Sequence, residues 1–264
     1  MNLVTRLIKK AERSLSYTSC LRKLRKERLE FDGINYVDYS WIKLIFTDDG
    51  DAQEIYYHQN CLKYYANEMP IFLKYIKKED TVVDVGANMG FTTTMFSSIV
   101  GERGKVFCFE PSKYIYEKLI KTIKLNNLSQ AIPFNFGCGE QSCKLKLNKV
   151  NNSSGNSSLL KESSTSNTEI VEIVPLDNVE KLNKYGINFL KIDTEGFEPY
   201  VLLGAEKLIK TYRPFIYIEM GGDYIESTHK TLEILERFNY KTNLYNNINW
   251  SLIGNGYNVI ATPN

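Results

Sequence analysis

The sequence predicts an α/β protein in which a mostly parallel central sheet carries helices on both faces. Two observations lead to this prediction. From residue 81 onward, short apolar segments alternate with helical ones, which is the pattern of parallel strands joined by helices. Acidic residues also stand directly at or after the ends of several apolar segments. In open α/β sheets, ligands bind at the carboxyl ends of the strands.

The predicted elements follow this alternation in order along the chain. A helix over 60–77, interrupted near Pro70, comes first. Short apolar segments predict strands at 81–85, 105–109, 131–136, 189–193 and 214–219. Helices are predicted at 91–100, 113–126, 205–211 and 229–238. The last two β segments are expected to form an antiparallel hairpin at the edge of the sheet, at 241–245 and 257–262.

The first 59 residues are expected to form a basic helical arm and a small β segment, ahead of a ligand-binding domain over 60–264. Residues 1–30 hold nine Lys/Arg against three Glu, whereas the rest of the chain has a small acidic excess. A solvated basic helix that packs on the body explains this charge. An arm that contacts an anionic membrane or a phosphorylated carrier is the alternative. The alternation over 34–47 predicts a strand pair.

A Ser/Asn/Thr-rich segment at 148–168 interrupts the alternating elements. Most of it lacks the apolar side chains that would stabilise an ordered structure. The composition therefore predicts a mobile insertion between strands. A lid over the substrate is the alternative.

The overall composition is that of an ordinary globular protein. The chain has 264 residues and a net charge of +2, which does not point to nucleic acid. None of its apolar runs approaches the ~18–20 residues that span a bilayer, and the N-terminus lacks the apolar region of a signal peptide. Five Cys without a CxxC pair suggest neither a disulfide framework nor a zinc site. We therefore expect a cytoplasmic protein, with peripheral membrane contact through residues 1–30 as an option.

The strongest local motif is TVVDVGANMGFTT at residues 81–93. Gly86 permits a tight turn and a close ligand approach, and Gly90 lets the following helix lie near the strand. The helix then presents free N–H groups and a positive dipole end. Ala87 and Asn88 stand where a dinucleotide motif has its second glycine, and no Gly-Lys-Ser/Thr follows. The motif therefore predicts a nucleoside ligand without a pyrophosphate.

Acidic residues mark three further strand ends. Glu110, in KVFCFEP, stands 24 positions after Gly86, where a carboxylate can accept both ribose hydroxyls of an adenosine. Asp193 and Glu195 follow the strand in NFLKIDTEGFEP, and Glu219 ends the strand in FIYIEM. All four are expected at one edge of the sheet. Surface carboxylates and helix caps are the alternatives for these residues.

Four blocks in this order resemble the FkbM family of methyltransferases, namely VDVGANMG, CFEPS, LKIDTEGFEPYVLLGAEKLI and RPFIYIEM. Weaker family-like pieces are NEMPIF, SSL at 157–159 and VPLDNV. The resemblance covers about 60–220 and, more loosely, the strands to 262. It implies a class I methyltransferase, Rossmann-like fold, S-adenosylmethionine as cofactor, and methyl transfer to a hydroxyl of a sugar, glycolipid or related metabolite. Where family members often carry a His after the last acid, this chain has Met220 and Gly221.

The resemblance and the motifs together nominate two groups of site residues. The expected cofactor contacts are Glu68, Asp84, Gly86, Asn88, Gly90, Phe91, Glu110, Pro111, Asn135, Gly137 and Asp193. The expected catalytic residues are Asp193, Glu195 and Glu219, with Asp193 as the base that takes the hydroxyl proton and Glu195 or Glu219 orienting the acceptor. A divalent cation between Asp193 and Glu219 is an alternative, because carboxylates suit Mg²⁺. Two acids on adjacent strands do not define a metal site, and none is predicted.

Other classes of protein explain the sequence less well. A non-catalytic binding or scaffold protein that keeps the S-adenosylmethionine fold is the main alternative. The missing second glycine argues against a nicotinamide oxidoreductase. A nucleic-acid methyltransferase is disfavoured because the chain has neither an Asn-Pro-Pro-Tyr motif nor a basic patch outside residues 1–30. His58 and His229 lie in no metal-ligand spacing. The Tyr pairs 56–57 and 64–65 fit either core packing or stacking on a sugar.

Overall fold

The computed structural model describes residues 27–45, 47, 52–150, 153–159, 168–221, 224–244 and 256–264. Most of the predicted basic arm, residues 1–26, and part of the predicted insertion, residues 151–152 and 160–167, lie outside the described residues. A short 3-10 helix spans Leu176–Asn178. The strands and α-helices in chain order are β1 (Leu29–Phe31), β2 (Ile34–Asp38), β3 (Lys43–Ile45), α1 (Ala52–Tyr75), β4 (Thr81–Val85), α2 (Phe91–Val100), β5 (Lys105–Phe109), α3 (Lys113–Leu125), β6 (Ala131–Phe134), β7 (Gly137–Cys138), β8 (Cys143–Val150), β9 (Ser153–Ser158), β10 (Thr168–Val174), α4 (Glu180–Tyr185), β11 (Phe189–Ile192), α5 (Glu198–Leu203), α6 (Glu206–Tyr212), β12 (Phe215–Gly221), α7 (Ile225–Arg237), β13 (Tyr240–Leu244) and β14 (Gly256–Pro263).

A seven-stranded sheet forms the centre of the molecule, in the order β13-β14-β12-β11-β4-β5-β6. The five strands from β12 to β6 pair in parallel. Strand β14 is antiparallel to both of its neighbours, β12 and β13. The mostly parallel sheet with an antiparallel edge is the predicted architecture, and the observed strand bounds differ from the predicted ones by at most two residues.

The two faces of the sheet bury separate sets of apolar side chains. Because side chains alternate along a strand, Val82 lies on one face of β4, and Val83 and Val85 lie on the other. The Val82 face packs against α1 and α2 through Phe72 and Phe96. The opposite face packs against α5, α6 and α7. Covering both faces explains why the parallel strands are continuously apolar rather than alternating.

Helix α1 is longer than predicted and alters the expected domain boundary. It runs without interruption from Ala52 to Tyr75 and includes Pro70. The expected boundary between residues 59 and 60 therefore falls inside a helix, and the expected break at Pro70 is absent. The preceding segment contains the predicted strand pair, since β2 and β3 are antiparallel neighbours in a three-stranded sheet with β1.

The predicted insertion at 148–168 contains β structure. Strand β8 continues to Val150, and β9 pairs with it antiparallel, in a second sheet of order β7-β10-β8-β9. The expectation of a plain loop is therefore wrong for residues 148–150 and 153–158. The composition did not predict β9 because a strand ladder is formed by backbone N–H and C=O groups. Polar residues supply these groups as well as apolar residues do. Among the described helices, none is long and apolar enough to cross a membrane.

Candidate active site

The loop after β4 is built around a backbone contact that only glycine permits. Gly86 has φ of +75°, and a Cβ at this position would lie 1.8 Å from the carbonyl oxygen of Asp193. The N–H groups of Gly86 and Ala87 both donate to the carbonyl of Phe109, at 3.1 and 3.0 Å. The ends of β4, β5 and β11 are therefore held together at the carboxyl edge of the sheet.

Gly90 allows close packing of helices rather than a ligand contact. It precedes α2 with φ of +94°, and a Cβ would lie 2.9 Å from the Leu119 side chain on α3. The neighbouring Asn88 also has a positive φ of 49°, and its side-chain oxygen accepts a hydrogen bond from the N–H of Met89 at 2.8 Å. The loop is thus shaped by two glycines and one asparagine, a residue type that tolerates the left-handed region.

Asp84 lies beneath the loop and is fully buried. One carboxylate oxygen accepts hydrogen bonds from the hydroxyls of Thr92 and Thr93, at 2.9 and 2.7 Å. The other lies 3.4 Å from the ammonium of Lys191. Asp84 therefore ties the start of α2 to the sheet and acts as a positioning residue.

Glu110 ends β5 and presents a buried carboxylate. It accepts hydrogen bonds from the N–H of Asn88 at 3.2 Å and from the N–H of Ser112 at 2.9 Å. Burial raises the pKa of Glu110 to about 7, and the two backbone N–H groups oppose that rise. The carboxylate is therefore fixed in direction beside the glycine loop, where it can accept hydrogen bonds from a diol.

A single cleft of about 390 Å³ joins this loop to the acidic strand ends. The cofactor residues predicted from the sequence that line it are Glu68, Gly86, Asn88, Phe91, Glu110, Pro111, Gly137 and Asp193. Glu195 and Glu219, predicted as catalytic, line it too. Three predicted residues do not line the cleft, namely Asp84, Gly90 and Asn135. The Asn135 amide instead donates to the carbonyls of Glu110 and Pro111, at 2.9 and 3.1 Å.

Lys191 stands at the centre of the site and was missed by the sequence analysis. Its ammonium lies 3.0 Å from the Gly86 carbonyl, 3.4 Å from Asp84 and 3.1 Å from Asp193. Burial lowers the pKa of Lys191, but the Asp193 and Asp84 carboxylates outweigh it and raise the pKa above its usual range. A lysine inside the apolar strand FLKI was the available signal, because a buried lysine needs an anionic partner.

Three acids at strand ends line the cleft together. Asp193 and Glu195 follow β11, and Glu219 stands across from them on β12. The Glu219 side chain is open to the cleft. The negative charge of Asp193, then desolvation by the surrounding protein, and then the charge of Glu195 raise the pKa of Glu219 well above its usual range. Glu219 therefore takes up a proton more readily than an ordinary glutamate.

The turn that carries Asp193 and Glu195 is held by a buried carboxylate. Glu198 accepts hydrogen bonds from the N–H and hydroxyl of Thr194 and from the N–H of Gly196, at 3.0–3.1 Å. Ser227 on α7 donates to the other oxygen of Glu198 at 3.1 Å. Glu195 has φ of +52°, a conformation that this network maintains.

Glu68 connects helix α1 to the sheet across the cleft wall. Its carboxylate accepts a hydrogen bond from the hydroxyl of Tyr217 on β12. Burial raises the pKa of Glu68 to about 7, and the Tyr217 hydrogen bond opposes that rise. The family-like piece NEMPIF thus brings a carboxyl group into the same cleft as Asp193.

Aromatic side chains of α1 form a further wall of the cleft. Tyr57 stacks on Phe91, with ring centroids 5.1 Å apart, and Tyr64 meets Tyr56 edge to face at 5.8 Å. All four of these residues line the cleft. Tyr65 points elsewhere and contacts Trp41. The Tyr residues therefore contribute to packing, and three of them also line the cleft, whereas stacking on a sugar stays a prediction.

Neither histidine takes part in the cleft. His58 is buried between the Tyr39 hydroxyl and the Ile45 carbonyl, each 2.9 Å from a ring nitrogen, and burial lowers its pKa to about 4. His229 is exposed on α7. Within the described ranges, no group of three or more His, Cys, Asp or Glu side chains could hold a metal ion.

The cleft fits S-adenosylmethionine by its chemistry. The Gly86 turn packs against the Asp193 carbonyl and lines the cleft, and the buried Glu110 carboxylate faces the cleft as an acceptor for ribose hydroxyls. The apolar residues Ile115 and Phe109 line the same end. A loop without a bare second glycine suits a nucleoside that has no phosphates. The fold and this site define a class I methyltransferase that uses S-adenosylmethionine.

Comparison with known families agrees with that class. The family model described as the methyltransferase FkbM domain matches residues 84–242, more than half of the chain, and the chain belongs to this family. A second model, protein-L-isoaspartate(D-aspartate) O-methyltransferase, matches residues 22–145. The family match and the site show that the protein is a methyltransferase dependent on S-adenosylmethionine. No curated protein sequence matches the chain.

Solved structures resemble this chain at low sequence identity. A protein assigned provisionally as an rRNA methylase, from Clostridium thermocellum, is 17% identical with a TM-score of 0.51; the match covers 75% of this chain and 95% of that one. The methyltransferase FkbM from Methylobacillus flagellatus is 15% identical with a TM-score of 0.48, over 91% of this chain and 58% of that one. Aeropyrum pernix fibrillarin with bound S-adenosyl-L-methionine is 11% identical with a TM-score of 0.48, over 89% and 81%.

Proposed function

We propose that this enzyme transfers the methyl group of S-adenosylmethionine to a hydroxyl oxygen of a sugar, glycolipid or related metabolite. The observation that carries the proposal is the position of Asp193. Its carboxylate lines the cleft between the cofactor loop and Glu219, and its backbone contacts Gly86. An acceptor oxygen bound against Asp193 would therefore lie beside the cofactor loop.

The cofactor, when bound, supplies a methyl group already activated on a sulfonium. The protein need not provide a nucleophile, and its task is to position the acceptor oxygen and accept the proton. Positioning of two reactants is worth roughly 7–11 kcal/mol in favourable cases. We assign the nucleoside end to Gly86, Asn88 and Glu110, and the rest of the cofactor to Glu68, Phe91, Pro111, Gly137 and the backbone of Asp193.

Proton removal is assigned to Asp193. The hydroxyl proton passes to its carboxylate as the new oxygen–methyl bond forms. Lys191 holds that carboxylate in place at 3.1 Å. Glu219, coupled electrostatically to Asp193, can share the proton, and we propose that Glu195 and Glu219 orient the acceptor.

A small polyhydroxylated acceptor suits the walls of the cleft. Tyr56 and Tyr64 offer aromatic faces and hydroxyls, and Leu147 and Leu159 close the opposite side. Stacking of aromatic rings on a sugar face would place a hydroxyl near Asp193. Leu147 and Leu159 belong to β8 and to the segment after β9, so part of the predicted insertion contributes to the acceptor pocket.

The test is Asp193→Asn, measured as methyl transfer to a panel of hydroxylated acceptors by mass spectrometry. We expect turnover to fall by about 10²–10⁴-fold, the range for loss of a general base. Affinity for S-adenosylhomocysteine, measured by isothermal titration, should change little. Glu233→Gln, an exposed carboxylate on α7, is the control. Turnover within a few-fold of wild type with intact cofactor binding would exclude Asp193 as the base.

A further inference from the structure

We infer that Asn258 selects the acceptor by accepting a hydrogen bond from a hydroxyl other than the one that is methylated. The inference rests on the proposed function and adds to it a residue that determines specificity. It implies an acceptor with at least two hydroxyl groups, as in a sugar or another polyol. Three observations support it: the unsatisfied amide oxygen of Asn258, the position of this residue in the cleft, and its separation from Asp193 across the sheet.

The side chain of Asn258 is buried in the wall of the cleft. It is only 4% exposed, and it is one of the residues that line the cleft. Within the part of the chain that the structure describes, no group donates a hydrogen bond to its side-chain oxygen. Of the described buried polar atoms that lack a hydrogen bond, this is the one whose residue lines the cleft. Buried amide oxygens are nearly always hydrogen-bonded, so the donor must come from what fills the cleft.

Asn258 points to the face of the sheet that helix α1 covers. It lies on β14 directly opposite Glu219 of the antiparallel neighbour β12. Tyr217, two positions before Glu219, packs on the α1 face of the sheet, and Ile260, two positions after Asn258, packs on the same face. Side chains two positions apart on a strand point the same way. Asn258 and Glu219 therefore lie side by side on this face, where the aromatic residues of α1 also line the cleft.

The order of the strands places Asn258 on the acceptor side of the reaction. The cofactor loop follows β4 and Asp193 follows β11, whereas Glu219 lies on β12 and Asn258 on β14; these four strands are neighbours in that order. Neighbouring strands are about 4.8 Å apart, so β14 lies about 10 Å from β11 and about 14 Å from β4. Because the reacting oxygen is assigned to Asp193, a group beyond Glu219 contacts the part of the acceptor that points away from the cofactor. Asn258 and Asp193 therefore contact different oxygens of the acceptor.

A second hydroxyl is the donor that suits this position. The amide oxygen of Asn258 is a neutral acceptor, which takes a hydrogen bond from an O–H group without requiring a charge on the ligand. The carboxyl group of Glu219 can accept another, and side chains directly opposite in an antiparallel pair have Cβ atoms about 4.5–5.5 Å apart. Two acceptors at this spacing can receive two neighbouring hydroxyls of one ring. The pair therefore favours a polyol over an acceptor with a single hydroxyl.

The first experiment replaces Asn258 by leucine, which is of similar size and lacks the amide oxygen. Methyl transfer to the methyl glycosides of glucose, galactose, mannose and rhamnose is measured by mass spectrometry. For each glycoside that is methylated, we expect KM to rise about tenfold, the effect of one lost hydrogen bond, with a smaller change in kcat. Asn258→Ala, which adds no bulk to the site, should raise KM in the same way. Asn243→Leu, at an exposed position on β13, is the matched control.

Two further readouts separate this role from a structural one and from a cofactor contact. Affinity for S-adenosylhomocysteine, measured by isothermal titration, should be unchanged in both Asn258 variants. The Tm of Asn258→Leu should not fall below that of Asn243→Leu, because the substitution removes a buried oxygen that has no partner. An unaltered KM in both variants, or a loss of cofactor affinity equal to the loss of acceptor affinity, would overturn the inference.

The second experiment assigns the hydrogen bond to one hydroxyl. The glycoside with the highest kcat/KM is compared with its monodeoxy analogues, each of which lacks one hydroxyl. Wild type should lose about tenfold in kcat/KM on one analogue that still carries the methylated hydroxyl. The Asn258 variants should lose little further on that analogue, because the protein partner of the missing hydroxyl is already absent. Equal losses in wild type and variants on every analogue would overturn the inference.

The outcomes also separate this inference from the proposed function. If wild type methylates a glycoside and the Asn258 variants keep its KM, the inference fails and the proposed methyl transfer stands. If the folded wild-type chain does not bind S-adenosylhomocysteine, or binds it and methylates none of the four glycosides, the proposed function fails and the inference fails with it.

Discussion

Replacing Lys191 by methionine tests whether the centre of the site depends on one buried ammonium. The side chain is 4% exposed, and its ammonium lies among the Gly86 carbonyl, Asp84 and Asp193. Methionine keeps the length and apolar stem of lysine but removes the charge. Asp84, which is fully buried, then loses its cationic partner.

The size of the effect follows from that unpaired carboxylate. Removing one partner of a buried ion pair costs about 3–5 kcal/mol. The hydroxyls of Thr92 and Thr93 still donate to Asp84, so the lower end of the range, about 3 kcal/mol, is expected. In a chain of this size that corresponds to a fall in Tm of roughly 6–12 °C.

The assay is urea and thermal unfolding followed by circular dichroism. Lys241→Met, an exposed lysine on β13 of the same sheet, is the matched control and should change Tm little. The double variant Asp84→Asn with Lys191→Met should recover part of the lost stability, because the buried charge is gone. A Tm for Lys191→Met equal to that of Lys241→Met would refute the reasoning.

Three further predictions concern the cofactor end of the cleft. Gly86→Ala places a Cβ 1.8 Å from the Asp193 carbonyl and should weaken S-adenosylhomocysteine binding more than tenfold by titration, whereas Gly101→Ala, with a similar positive φ but open space, should not. Glu110→Ala removes the proposed ribose acceptor; we expect affinity to fall roughly 10–100-fold with folding retained, and unchanged affinity would exclude that role. Burial raises the pKa of Glu68 to about 7, so the folded chain binds more protons than the unfolded one between pH 4.5 and about 7, and stability falls as pH rises through that window. Glu68→Gln should remove the part of this slope that Glu68 contributes, worth at most roughly 3 kcal/mol, in urea unfolding at several pH values. The part from Glu110, whose pKa is also raised to about 7, should remain, and an unaltered slope would contradict the role of Glu68.

The sequence predicted the elements of the central sheet closely because their signals are local. Apolar runs, turn glycines and strand-end acids all lie within a few residues of one another. The glycine loop and Glu110 could be placed at one edge of the sheet because the carboxyl ends of parallel strands share that edge. The β9 strand was missed because it is stabilised by pairing with β8. The residues of β9 alone do not reveal this pairing.

The sequence predicted the positions of the candidate site residues better than it predicted their contacts. Asp84, Gly90 and Asn135 belong to motifs at the site, yet their contacts are with Thr92 and Thr93, Leu119, and the Glu110 and Pro111 carbonyls. A sequence motif contains both residues that build a loop and residues that contact a ligand, and the motif does not distinguish between them. Only the direction of each side chain separates the two groups.

The sequence by itself determined the fold class, the cofactor loop and the acids at the strand ends, because each of these features depends on residues that are close together in the chain. The tertiary structure alone decided which distant groups meet. Glu68 and Tyr217 are 149 positions apart, Lys191 and Gly86 are 105 apart, and Asn258 reaches Glu219 only through the pairing of β14 with β12. These pairings arise from the packing of whole elements, because no single segment of the sequence contains both partners.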